Sequence, residues 1–290
     1  MNRAIVAVCL IGLACLTSAC PAWFPPEAAR ESKAQRAARP NHVATYYRNA
    51  RSSADKKKWE ESATKAKAEI QRNPKDAKSH CDLGLACWWL GGMTDSVSEY
   101  REAIRLKPDY ARPHYDLGIA YSEMGQRQNA IAEFKEAIRI DPLHFEAHDS
   151  LGLAYGDLGR WQQAIAEYKE AVRIKPGYAN SHFNLALAYT HLEQWQAAID
   201  EFRAGIRIRP DDAEARCSLG LTYSKLARWQ EAIAELKEAV RIKPNYADAH
   251  FALGFVYLAQ GDKSAALAEH KTLTDLDKGL ADQLYRQINP

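Results

Sequence analysis

The sequence predicts an all-α chain, an α-solenoid of stacked helix–turn–helix units. Three observations carry that reading. First, a period of 34 residues runs through most of the 290-residue chain. Leu83-Gly84, Leu117-Gly118, Leu151-Gly152, Leu219-Gly220 and Leu253-Gly254 fall on it, and Leu185-Ala186 fills the gap. Tyr121, Tyr155, Tyr189, Tyr223 and Tyr257 follow in phase, as do Ala130, Ala164, Ala198, Ala232 and Ala266. Second, the apolar residues inside each period keep helical 3,4 spacing: His114, Leu117, Gly118 and Tyr121 form one stripe, and Ala130, Phe134, Ala137 and Ile138 another. Third, Pro108, Pro142, Pro176, Pro210 and Pro244 recur once per period and stop the second helix, because proline has no N–H to donate and disfavours helix at the residue before it.

Taken in chain order, residues 1–19 read as a signal peptide. Arg3 is their only charged residue, and an apolar-to-small run follows from Ala4 to Leu16. That run is shorter than the roughly 20 residues a spanning helix needs. Leu16-Thr17-Ser18-Ala19-Cys20 resembles the lipobox of bacterial lipoproteins, although Thr17 departs from the usual aliphatic residue. The resemblance implies lipidation of Cys20, and Pro21 after it implies the outer membrane. An ordinary secretory signal cut after Ala19 is the other reading. Residues 20–42 carry Pro21, Pro25, Pro26 and Pro40 without apolar periodicity and read as an extended, lipid-anchored tether.

Residues 43–76 read as a degenerate unit, with 56–72 as its second helix. Pro74 lies one period before Pro108, and Trp59 lies three periods before Trp161. Ala66 and Glu69 replace the large and small packing residues of later units, which suits an end with one face in solvent. Residues 77–280 form six units: 77–110, 111–144, 145–178, 179–212, 213–246 and 247–280. Within them Gly118 and Ala130 are small where helix backbones must approach. The amphipathic set Leu280, Ala281, Leu284, Tyr285 and Ile288 reads as a closing helix ending in 281–290, with Gly279 as its break.

The 34-residue helix–turn–helix pattern resembles the tetratricopeptide repeat, over about 70% of the chain. The resemblance implies a right-handed solenoid whose first helices line a concave face that takes partner peptides. Carried over by position, that face includes Arg112, Tyr115, Asp116, Glu146, Asp149, Asn180, Phe183, Asn184 and Phe251. Tyr115, Phe183 and Phe251 then serve as aromatic anchors, Asp116, Glu146, Asp149 and Glu214 make its middle acidic, and Asp248 lies further along. The lysine/asparagine/arginine clamp of chaperone-tail binders is missing, since Cys81, Leu85, Asp116, Glu146 and Ser150 stand in its place. The asparagine ladder of glycosyltransferase-associated repeats is missing as well.

Other candidates read as structural. His80, His114, His148, His182 and His250 share the period, but equivalent side chains on neighbouring helices lie about 8–10 Å apart, too far to share one zinc. Cys81 and Cys87 are separated by about 9 Å of helix rise and do not pair. Trp161, Trp195 and Trp229 read as packing residues, whereas Trp88-Trp89 is either a cover for the weak first unit or an exposed anchor. No GxSxG, P-loop, HExxH, CxxC or GxGxxG motif occurs, so neither an enzyme nor a cofactor is expected.

Charge is unevenly spread behind a net +2. Residues 21–79 hold 14 Lys/Arg and 7 Asp/Glu, and residues 80–290 hold 24 and 30. That balance argues against nucleic-acid binding. It suits a basic stretch near anionic headgroups and a solenoid whose partners bring basic or extended segments. The expected role is a non-catalytic protein-interaction scaffold in a bacterial cell envelope, an outer-membrane lipoprotein facing the periplasm. By analogy it serves envelope assembly or recruitment. The alternative is a regulatory or substrate-docking subunit of an enzyme encoded elsewhere. Oligomeric state is left open.

Overall fold

The computed structural model describes residues 56–289. The signal peptide, Cys20, the 20–42 tether and the first part of 43–76 lie outside the described residues. Among those described, fourteen helices and no strands occur, and they fall into two compact units divided between Pro176 and Gly177. The N-terminal unit holds α1 (Lys56–Arg72), α2 (Ala77–Trp89), α3 (Met93–Leu106), α4 (Ala111–Glu123), α5 (Arg127–Ile140), α6 (Phe145–Asp157) and α7 (Trp161–Ile174). The C-terminal unit holds α8 (Ala179–His191), α9 (Trp195–Ile208), α10 (Ala213–Lys225), α11 (Trp229–Ile242), α12 (Ala247–Gln260), α13 (Lys263–Leu276) and α14 (Lys278–Ile288).

Helices pair in the predicted phase: α2 with α3, α4 with α5 and α6 with α7, then α8 with α9, α10 with α11 and α12 with α13. Within a unit the second helix of one pair also packs on the first helix of the next. The first helix of a pair ends in a tight turn at Gly91, Gly125, Gly159, Glu193, Ala227 and Gly261, all with positive φ. At Gly125 the turn is closed by Gly125 N–H to the Ser122 carbonyl (3.0 Å) and Gln126 N–H to the Tyr121 carbonyl (2.8 Å). These two bonds satisfy carbonyls the helix end would otherwise leave open.

The packing rule inside a pair differs in one detail from the sequence reading. A Cβ on Gly118 would lie 2.6 Å from the Phe134 ring, and one on Gly152 would lie 2.6 Å from the Tyr168 ring. The space is therefore kept for the large side chain at the centre of the second helix rather than for the backbone at Ala130. The pair α8/α9 inverts the arrangement. Ala186 stands where the others have glycine, and Gly205 stands where α3, α5, α7 and α11 have alanine. The Phe183 ring occupies the room above Gly205, where an added Cβ would lie 2.2 Å from it.

At the N-terminal end α1 matches the predicted 56–72 helix. Ala63 and Ala66 pack on Leu83 and Ala86, with Trp59, Ile70 and Cys87 around them. Trp59 stacks flat on Trp89, with centroids 5.0 Å apart, and Trp89 meets Trp88 edge to face at the same distance. Trp88 is buried, so the tryptophan pair covers the first hairpin. At the other end α14 packs on α12 and α13. Its start corrects the expected break: Asp277, not Gly279, ends the preceding helix and caps α14 by accepting from Leu280 N–H. Gly279 lies inside the first turn. Leu280, Ala281, Leu284 and Ile288 are buried, whereas Tyr285 points outward beside His270. Among the described residues no helix is long and apolar enough to cross a membrane.

Candidate functional site

The residues expected to line a binding face divide between the two units. Arg112, Tyr115 and Asp116 stand on α4 and Glu146 and Asp149 on α6, in the N-terminal unit. Asn180, Phe183 and Asn184 stand on α8 and Phe251 on α12, in the C-terminal unit.

In the N-terminal unit, Arg112 is half exposed and donates from Nε to Asp116 Oδ2 at 2.7 Å, one helical turn on. Asp116 is only 5% exposed. Burial pushes its carboxyl up to about 6, although Arg112 pulls the other way. Tyr115 lies between the Phe134 ring (6.0 Å) and the His144 ring (4.7 Å). His144 Nδ1 is also 3.2 Å from Glu146 Oε2. Burial raises Glu146, but the His144 contact and the backbone at its own N–H outweigh it and hold the carboxyl below its usual range. Sequence reasoning did not single out His144, which packs beside the candidate residues Tyr115 and Glu146. It departs from the row Tyr110, Tyr178, Tyr246, as Asp212 does too, and that departure was the available signal. Lys175 completes the set, with Nζ 4.0 Å from the Phe145 ring centroid, close enough for a cation–π contact. Asp149 is buried.

In the C-terminal unit, Asn180 accepts from Arg209 Nη2 at 2.7 Å and donates to the Tyr178 hydroxyl at 3.2 Å. The same guanidinium lies 5.1 Å over the Phe183 ring and pairs with Asp212 at 3.0 Å. Arg209 was also missed, because it lies on the loop after the second helix. Asn184 is half buried. Phe183 is buried on Gly205, and Phe251 is 1% exposed. Neither phenylalanine is an exposed anchor: each fills the space between helices that a flat backbone contact would leave empty. Asp248 is pushed up by burial and by the neighbouring Asp277 and Glu214 charges.

The histidine row has a role the sequence did not disclose. Each histidine of this row donates from Nδ1 to a glutamate 19 residues on, in its partner helix. The pairs are His80–Glu99, His114–Glu133, His148–Glu167, His182–Glu201 and His250–Glu269, at 2.6–2.8 Å. In the one pair without histidine, Arg216 reaches Glu235 at 2.8 Å. Cys81, Cys87 and Cys217 are free thiols.

Two family models described as TPR repeat and tetratricopeptide repeat match residues 90–125 and 228–261, and 115–179 and 150–213. The 90–125 match spans α3 and α4, and the 228–261 match spans α11 and α12. The chain is a tetratricopeptide repeat protein. Solved structures similar to this repeat protein include YrrB, described as a TPR protein with an unusual peptide-binding site. It is 21% identical, covers 64% of this chain and 97% of its own, and has a TM-score of 0.58. MamA is 26% identical over 57% of this chain and 97% of its own, with a TM-score of 0.55. PilF of Pseudomonas aeruginosa is 18% identical over 73% and 97%, with a TM-score of 0.61. YrrB and PilF share the fold alone with this repeat protein. No curated protein matches it.

Proposed function

We propose that this tetratricopeptide repeat protein is a non-catalytic scaffold that binds an extended or helical segment of another protein along its first helices. The observation that carries the proposal is the arrangement of accessible polar groups on an ordered helical frame. Arg112 and Glu146 in one unit and Asn180, Asn184 and Arg209 in the other are held by neighbours, so little side-chain entropy is lost on binding. YrrB's peptide-binding site supports the same use of the fold. The acidic character expected of the face rests on fewer residues than before, since Asp116 is buried against Arg112 and Asp149 is buried. Glu146, Glu214 and Asp248 are the carboxylates left to attract a basic segment.

The address completes the reading: export, lipidation at Cys20, and an outer-membrane position facing the periplasm, supported by the Leu16–Cys20 motif. Cys20→Ala moves the protein out of the membrane fraction; unchanged recovery there would contradict the anchor. The binding face is tested by crosslinking from the native envelope, comparing the wild type with the Arg112→Ala, Glu146→Ala, Asn180→Ala, Asn184→Ala variant. None of the four positions is a core residue, and circular dichroism of the variant checks that its helices are kept. An identical partner list from both proteins would place the binding face elsewhere.

A further inference from the structure

Asp116 is buried, yet its polar contacts converge on one oxygen. Oδ2 accepts from Arg112 Nε at 2.7 Å and from the Cys81 thiol at 3.9 Å. A carboxylate removed from water ordinarily needs several strong donors, because the uncompensated charge is costly. This one has a single strong donor, and that donor's side chain is half exposed. The pair therefore runs from the core to the surface of α4.

The titratable groups around Asp116 come from α2, α3, α4 and the turn before α6. Cys81 lies on α2, Tyr100 on α3, Arg112 on α4 itself, and His144 in the turn before α6. Burial pushes the Cys81 thiol far up and the Tyr100 hydroxyl well up, so both stay neutral through the physiological range. Arg112 stays charged throughout. Asp116, raised to about 6, then changes charge near neutrality.

We propose that Asp116 and Arg112 form a proton-controlled latch on the N-terminal unit, in which the ionised carboxylate pins the guanidinium and the protonated carboxyl releases it as a cationic contact for an anionic group of a bound peptide. The peptide part rests on the binding reading above. The latch itself is a property of this chain. A proton added to Asp116 cancels the charge that strengthens the bond. The half-exposed guanidinium then exchanges a buried partner for water or ligand. The carboxyl proton is placed beside the Cys81 sulfur, a weak acceptor. Burial acts in the same direction, since it favours the neutral carboxyl.

The test needs no partner, so its failure is distinct from failure of the binding reading. In the full chain, hydrogen exchange of the Arg112 Nε–H is followed by NMR against that of Arg139. Arg139 is held by Glu136, whose carboxyl the Arg139 bond keeps below its usual range, so it stays paired. Between about pH 7.5 and about pH 5 the Arg112 to Arg139 exchange ratio rises about tenfold, the loss expected when a charged acceptor becomes neutral. In Asp116→Asn the high ratio holds at both pH values. In His144→Gln the rise persists, which separates the carboxyl from the ring. A ratio that does not change with pH in the wild type, or a low ratio in Asp116→Asn, or loss of the rise in His144→Gln, overturns the latch.

Discussion

Gly205 and Phe183 show how one side chain decides another. The aromatic ring sits where a Cβ on residue 205 would be, 2.2 Å away. Gly205→Ala overpacks that contact and costs about 1–3 kcal/mol. In the Phe183→Leu background the ring is gone, and the same change is expected to cost less than about 1 kcal/mol. Thermal unfolding of the four proteins measures the coupling, and additive effects would show that the ring moves aside freely. Asp116 gives a second test at this scale. Its folded carboxyl is raised from 3.8 to about 6, so the folded state holds a proton that the unfolded chain gives up. Stability from this group is fully present below about pH 4 and is lost as pH rises through about 6, a change of about 3 kcal/mol. Asp116→Asn removes that dependence. A melting temperature that falls between pH 4 and 7 by the same amount in both proteins would contradict the assignment.

At the scale of elements, the turn after each first helix is a row with two exceptions. Gly91, Gly125, Gly159 and Gly261 take the positive φ without strain, while Glu193 and Ala227 adopt it at 57° and 54°. A side chain in that region costs roughly 1–2 kcal/mol, part of which is offset by a more restricted unfolded chain. Ala227→Gly is therefore expected to stabilise the protein by about 0.5–1 kcal/mol. A lower melting temperature would mean the turn is held by something other than backbone preference. The closing helix is the other element with a testable role. Leu284 reaches into the notch above Gly254, where a Cβ would lie 2.5 Å from it. α14 thus does for α12 and α13 what a further hairpin would do. Leu284→Ser costs about 2–5 kcal/mol if that contact holds the end closed, measured by urea unfolding. A loss below about 0.5 kcal/mol would make α14 an ornament rather than a cap.

Across the whole molecule, the number and phase of the repeats were legible in one dimension. Leu-Gly, Tyr, Ala and Pro rows recur because every hairpin must present the same stripe to the same kind of neighbour. The one helix range read from the sequence, 56–72, is the range α1 takes. The candidate face was legible only as positions. Arg112, Glu146 and Asn180 could be placed on first helices from the period, but His144 and Arg209 lie in the connections and join the face only through tertiary contacts.

What the sequence determined by itself is therefore everything that repeats: helix type, pairing, turns and end units. These depend on 3.6-residue spacing and backbone preference, which are local. What only the tertiary structure decided is everything that breaks the repeat or bridges it. The Nδ1 of each histidine in the periodic row meets a glutamate 19 residues away. Trp59 stacks on Trp89 and turns an exposed pair into a cover. Phe251 and Asp116, each read as lining a groove, are buried instead. Burial of a side chain depends on the shape of the helix opposite, and that shape is set by residues a whole repeat away.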